Sequence, residues 1–136
     1  MSEGEVEAIL DTSALYPLLK MAGRESVHVL MKTAILDLTK YELGNAVWRE
    51  FKSGLIGNWE ELMESWLDLL MELRTLSIGG KIKDVMKVAV ERDLTFYDAS
   101  YVYLAETLNI KLITEDREIL AKCKNAICLD DFLKEV

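Results

Sequence analysis

Short apolar runs of strand length, each followed by a stretch with helical spacing, recur along this chain and constrain its fold more than any other feature. The strand candidates are Val6–Leu10, Ala34–Leu38, Thr75–Ile78, Lys111–Thr114 and Ala126–Leu129. Between them the spacing predicts helices over Ala14–Met21, Ser26–Lys32, Thr39–Lys52, Trp59–Leu73, Ile82–Arg92, Asp98–Leu108 and Asp116–Lys122, with a terminal turn at Asp130–Val136. Ser13 is the expected N-cap of the first helix, and Pro17 is expected to delay or bend it. Gly23-Arg24-Glu25 is read as a chain break, and Ser53-Gly54 and Gly79-Gly80 as helix and strand endings. Short apolar strands alternating with helices imply a parallel sheet covered on both faces, that is, an α/β fold of three layers (α/β/α) with about four or five strands. With 136 residues, 51% of them apolar, one domain spanning 1–136 around one core is expected.

Composition narrows the function. Twenty-four acidic residues face 16 basic ones, a formal charge of −8, which argues against a general nucleic-acid binder. It leaves room for an enzyme that meets phosphates through bound cations. Cys123 and Cys128 have no His or further Cys nearby, so they read as ordinary thiols and not as a zinc site. His28 is the single histidine, which excludes a two-His metal site. No apolar run reaches the ~18 residues a membrane span needs. The acidic start, Met-Ser-Glu-Gly-Glu-Val-Glu, is unlike a secretory signal. A cytoplasmic protein with no membrane partner is expected.

The chemistry gathers where ligands bind in parallel sheets, beyond the carboxyl ends of the strands. Asp11 follows the first strand, Glu42 follows the second, Asp116 follows Lys-Leu-Ile-Thr at 111–114, and Asp98 opens a helix. Four carboxylates packed together repel unless a cation intervenes or some are protonated. Oxygen-only ligands of this kind suit Mg²⁺ or Mn²⁺, ions that activate water and stabilise a departing oxygen at a phosphodiester. Each acid also has a local structural reading. Thr39-Lys-Tyr-Glu42 and Thr95-Phe-Tyr-Asp98 match the capping box, and Thr114 is placed to cap the helix that contains Asp116.

Four segments carry a resemblance. Ile-Leu-Asp-Thr-Ser-Ala-Leu at 9–15, Lys-Tyr-Glu-Leu-Gly-Asn-Ala-Val-Trp at 40–48, Leu-Thr-Phe-Tyr-Asp-Ala-Ser-Tyr-Val-Tyr-Leu-Ala at 94–105 and Lys-Leu-Ile-Thr-Glu-Asp at 111–116 resemble, in this order and spacing, a PIN domain of the VapC toxin type. The resemblance spans nearly the whole chain. It implies a metal-dependent endoribonuclease, the toxin of a toxin–antitoxin pair, in which Asp11, Glu42, Asp98 and Asp116 hold one or two Mg²⁺ or Mn²⁺ ions and activated water cleaves RNA. Thr114 is then the accompanying hydroxyl, and Ser13 orients the first carboxylate or a water. Glu115, beside Asp116, leaves open which of the two faces the metal. Arg49, Lys52, Lys81, Lys83, Lys87, Arg117, Lys122 and Lys124 are candidates for a basic rim, or simply a solvated mixed-charge surface.

The helix at 59–73 carries Leu67, Leu69 and Met71 off its main apolar stripe. A helix apolar on several faces is buried on several faces, so an antitoxin peptide or a homodimer partner is expected against it. The competing reading sandwiches it inside its own fold. Two functional alternatives remain: a stand-alone PIN nuclease in RNA processing, and a non-enzymatic acid-pocket signalling module. The second needs paired acids after the first strand, where this chain offers only Asp11.

Overall fold

The computed structural model describes residues 5–21 and 24–135, with the side chains of Arg24 and Glu25 left out. Five strands, β1 (Ala8–Leu10), β2 (Thr33–Leu36), β3 (Arg74–Leu76), β4 (Lys111–Ile113) and β5 (Ala126–Ile127), form one sheet in the order β3-β2-β1-β4-β5. Every pairing is parallel. The central strand sets the frame: Ala8 and Ile9 pair with Thr33 and Ala34 on one side, and Ala8 to Leu10 pair with Lys111 to Ile113 on the other. All of β1 and β2 is buried, which is why these strands read as unbroken apolar runs and not as alternating ones.

The pleat sends alternate residues to two cores. Ala8, Leu10, Ile35 and Ile113 face one core, with α1 (Thr12–Met21), α2 (Arg24–Met31), α3 (Asp37–Lys52), α4 (Trp59–Glu72) and α8 (Leu129–Glu135) contributing Leu15, Leu18, Leu30, Leu43, Trp66 and Phe132. Ile9, Leu36 and Leu112 face the other, where α5 (Ile82–Arg92), α6 (Phe96–Leu108) and α7 (Arg117–Lys122) contribute Val85, Tyr101, Val102 and Ile119. The expected three-layer α/β/α arrangement is therefore the observed one. Arg92 fastens the second layer, forking onto both oxygens of Glu106 at 2.7 and 2.6 Å and onto the carbonyl of Lys122 at 3.1 Å. Left-handed residues Asp93 (φ 54°) and Asn109 (φ 56°) end α5 and α6.

Several element boundaries differ from the expectation. Val6 precedes β1, and Asp37 and Leu38 begin α3 instead of ending β2. Ser13 does not cap α1. That helix starts at Thr12, with Asp11 before it accepting the Ala14 N–H at 3.1 Å, and it runs through Pro17 without starting late. Arg24 and Glu25 belong to α2, so they break nothing, while Gly23 and Val136 lie outside the described residues. Phe96 opens α6, with Thr95 as its cap, and Leu129 opens α8 instead of ending β5. Both cysteines are free thiols. Among the described residues no helix is long and apolar enough to cross a membrane.

α4 is not sandwiched. Of its apolar residues only Trp66 is fully buried, edge-on to Tyr16 of α1 with ring centroids 5.7 Å apart. Trp59, Leu67 and Met71 are exposed.

Candidate metal centre

The strand order creates the crevice. From β1 the chain moves outward through β2 to β3, then crosses back to β4 on the other side of β1, so the connections diverge at the carboxyl ends of β1 and β4. Asp11 and Asp116 leave those two strands, Glu42 stands on the second turn of α3 after β2, and Asp98 sits in the first turn of α6.

Asp11 is 4% exposed, and three donors hold its carboxylate. Ser13 Oγ donates to Oδ1 at 2.6 Å, the Ala14 N–H donates to the same oxygen at 3.1 Å, and Thr114 Oγ1 donates to Oδ2. A carboxylate offers about four lone-pair sites, so Oδ2 keeps one free. Burial pushes the Asp11 carboxyl up to about 6 from 3.8, against the pull of those hydrogen bonds, and the charge of Asp98 adds to the rise. Ser13 also accepts the Glu115 N–H at 2.9 Å, and the buried Thr114 accepts the Asp116 N–H at 3.0 Å. The two hydroxyls thus tie β1–α1 to β4–α7.

Thr114 is not the cap of α7. Asp116 is, accepting from Glu118 N at 2.8 Å and Ile119 N at 3.2 Å through Oδ1. Glu115 turns away, its Oε2 accepting the Leu129 N–H at the start of α8 at 2.7 Å. Of the two neighbouring acids, Asp116 is the one whose charge Asp98 feels.

Glu42 is not part of a capping box with Thr39. Thr39 reaches backwards to accept the Leu36 N–H at 3.0 Å, and its hydroxyl meets Tyr101 OH at 2.7 Å. Glu42 Oε1 instead accepts from Thr12 Oγ1 and Tyr101 OH, both at 2.8 Å. The sequence reading missed Thr12 and Tyr101 as the groups that aim Glu42. Tyr101 carried one available signal: it stands among Ala99, Val102, Leu104 and Ala105, and a phenol buried with such neighbours needs a partner for its hydroxyl. Burial and the neighbouring Glu42 hold that phenol well above its ordinary range, so it stays a donor.

Asp98 is half-buried. Its carboxyl is raised by desolvation first, then by the charges of Asp116, Glu42 and Glu118. All four acids therefore lie within electrostatic reach of one another through Asp98. Among the described residues no ion pair neutralises any of them. Nor do any three carboxylates there converge closely enough to form a ready ligand cage as they stand. The donor chemistry fits a hard divalent cation: carboxylate oxygens only, no thiolate or imidazole, and uncompensated negative charge.

The PIN domain family model matches residues 8–125. The chain belongs to the PIN domain family. Within it, the chain is of the VapC kind. It is 43% identical over 128 residues to "Exonuclease VapC9" of Pyrobaculum aerophilum, covering 94% of each chain, and 35% identical over 89 residues to "Ribonuclease VapC3" of the same organism, covering 64% of this chain and 68% of that one. A crystal structure of a Pyrobaculum aerophilum protein superposes with a TM-score of 0.88 at 41% identity over 97% of both chains. A protein in a toxin–antitoxin complex from Klebsiella pneumoniae shares the PIN fold at TM-score 0.61 and 19% identity, over 88% of this chain and 95% of that one.

Proposed function

We propose that this PIN domain is a divalent-cation-dependent endoribonuclease acting on cytoplasmic RNA as the toxin of a toxin–antitoxin pair. The observation that carries the reading is the set of four acids at the crevice between β1 and β4 that have no ion-pair partner among the described residues. A chain that places uncompensated carboxylates there loses stability at the site, and a bound cation restores the charge balance. Asp11, Glu42, Asp98 and Asp116 would hold Mg²⁺ or Mn²⁺. When bound, such an ion neutralises a phosphodiester and activates water. Ser13 and Thr114 keep Asp11 aimed, Thr12 and Tyr101 keep Glu42 aimed, and Asp116 is anchored by the first turn of α7.

The names of the VapC relatives support a nuclease, and the fold shared with a chain of a toxin–antitoxin complex is consistent with the toxin role. A second reading, exonuclease, is favoured by the name of the 43%-identical relative. Incubation with a linear and a covalently closed circular RNA separates the two. Cleavage of both in Mn²⁺, and of neither in excess chelator, is expected. Degradation of the linear RNA alone would replace the endonuclease with an exonuclease, and cleavage undiminished by chelator would contradict the metal role.

A protein partner has a surface. An apolar groove of about 420 Å³ between α3 and α4 is lined by Gly44, Val47, Trp48, Phe51, Trp59 and Met63. Leu67 and Met71 extend the Met63 stripe by one and two turns, both exposed. We assign this face to the antitoxin peptide. The homodimer is the competing occupant, and sizing the purified chain with and without its antitoxin separates them.

A further inference from the structure

Beside the acids lies a pocket of about 450 Å³ between α1 and α3, bordered by Thr12, Pro17, Glu42, Asn45, Ala46 and Arg49 among others. Its α3 wall follows from helix geometry: positions 42, 45, 46 and 49 share one face, so Glu42 stands at one end and Arg49 two turns away. The charges on this wall are unequal in their engagement. Glu50 accepts from Tyr16 OH at 2.6 Å and from Lys20 at 3.0 Å, and these two bonds, with a smaller contribution from the charge of Arg49, hold its carboxyl below the ordinary range. Glu42 is occupied by Thr12 and Tyr101. Arg49 and Asn45 are both exposed, and neither side chain makes a hydrogen bond or ion pair among the described residues. Arg49 is the cationic side chain that lines this pocket, and Glu50 feels its charge without taking a hydrogen bond or ion pair from it.

We infer that this pocket is a nucleotide subsite, in which the Arg49 guanidinium binds the RNA phosphate next to the one being cleaved and Asn45 reads the edge of the adjoining base. The inference rests on the ribonuclease reading above. An RNA strand approaching four acids on a chain of charge −8 needs a local cation to hold it, and an exposed guanidinium with no hydrogen bond of its own forks onto phosphate oxygens. An unengaged carboxamide offers the donor and acceptor pair that a base edge needs. Pro17 and Ala46 supply the apolar wall, and about 450 Å³ falls in the usual range for a small-ligand cavity. Of the eight basic residues that the sequence offered as a rim, Arg49 is the one that lines this pocket.

The test uses the full chain and a fluorescent single-stranded RNA hexamer with 2′-O-methyl riboses, which binds without being cut, followed by anisotropy in chelator across a salt series. Arg49→Ala is expected to weaken binding about tenfold and to reduce the salt slope by about one, with Arg49→Lys intermediate. Asn45→Ala is expected to weaken binding severalfold without changing the salt slope. Lys134→Ala, on the distant α8, is expected to bind as wild type. In cleavage assays of ordinary RNA, Arg49→Ala is expected to raise KM with little change in kcat, as loss of ground-state binding requires. Wild-type cleavage together with unchanged hexamer affinity in Arg49→Ala overturns the subsite and leaves the nuclease standing. Loss of hexaglutamate binding with no loss of hexamer binding also overturns it, in favour of an acidic peptide. A wild-type chain that neither binds the hexamer nor cuts RNA removes both readings.

Discussion

Asp98→Asn is expected to lower RNA cleavage by at least about a hundredfold while the fold stays intact. Asp98 is the acid through which the others are coupled, since its carboxyl responds to Asp116 and Glu42 and in turn raises Asp11. Asn keeps the size of the side chain, and the backbone N–H of residue 98 still bonds Thr95 Oγ1, at 3.1 Å in the parent, so the first turn of α6 is retained. What is lost is one negative charge at the centre of the set. The ionised Asp98 is held against desolvation and like-charge repulsion, so its removal is expected to leave chelator-treated protein as stable as wild type or more so. Parallel cleavage assays and thermal unfolding in chelator check both halves. Activity within about tenfold of wild type would mean that Asp98 does not serve the chemistry. Lost activity accompanied by an equally large loss of stability would mean that its role is structural.

The second large effect is a pH dependence centred on Asp11. In the folded chain its carboxyl titrates at about 6, against 3.8 for the ordinary value, with burial as the main cause. Below about 3.8 both folded and unfolded chains hold the proton. Between 3.8 and 6 the folded state keeps a proton that the unfolded state has released, so stability falls as pH rises, by about 1.4 kcal/mol per unit. The contribution is complete at low pH, is lost as pH climbs through about 6, and amounts to about 3 kcal/mol in the metal-free chain. Glu50 and Glu106, whose carboxyls are held low by their cationic partners and hydrogen bonds, act in the opposite direction. They are common to wild type and Asp11→Asn, so the difference between the two proteins isolates Asp11. Urea unfolding in chelator from pH 4 to pH 7 is expected to show similar stability at pH 4, with Asp11→Asn more stable by about 2–3 kcal/mol at pH 7. Parallel curves would show that Asp11 titrates normally.

The parallel sheet was legible because β1 and β2 are buried on both faces and so carry no polar alternation. The positions of the acids were legible for the same topological reason, each following a strand or opening a helix. Their partners were not. Thr39-Lys-Tyr-Glu42 has the spacing of a capping box, yet Glu42 takes its hydrogen bonds from Thr12 and Tyr101, 30 and 59 residues away. Thr114 has the spacing of a cap, yet its hydroxyl goes to Asp11, 103 residues away. Local spacing offers the same hydroxyl to a helix end and to a distant carboxylate, and the closed sheet decides between them. Ser13 shows the competition in one residue: Asp11 takes the cap of α1, and the displaced hydroxyl braces Asp11 and the Glu115 N–H. The choice between Glu115 and Asp116 rested on where α8 begins, because the Leu129 N–H claims Glu115. α4 was read correctly as apolar on several faces, and the structure turns the surplus outward along Leu67 and Met71.

Calorimetric titration of the chelator-stripped chain with Mn²⁺ asks whether Asp11, Glu42, Asp98 and Asp116 together hold a divalent cation. Saturable binding is expected in wild type, with loss of at least about tenfold in affinity in each of Asp11→Asn, Glu42→Gln, Asp98→Asn and Asp116→Asn. Absence of saturable binding in wild type, or binding of equal strength in all four variants, would contradict that shared role.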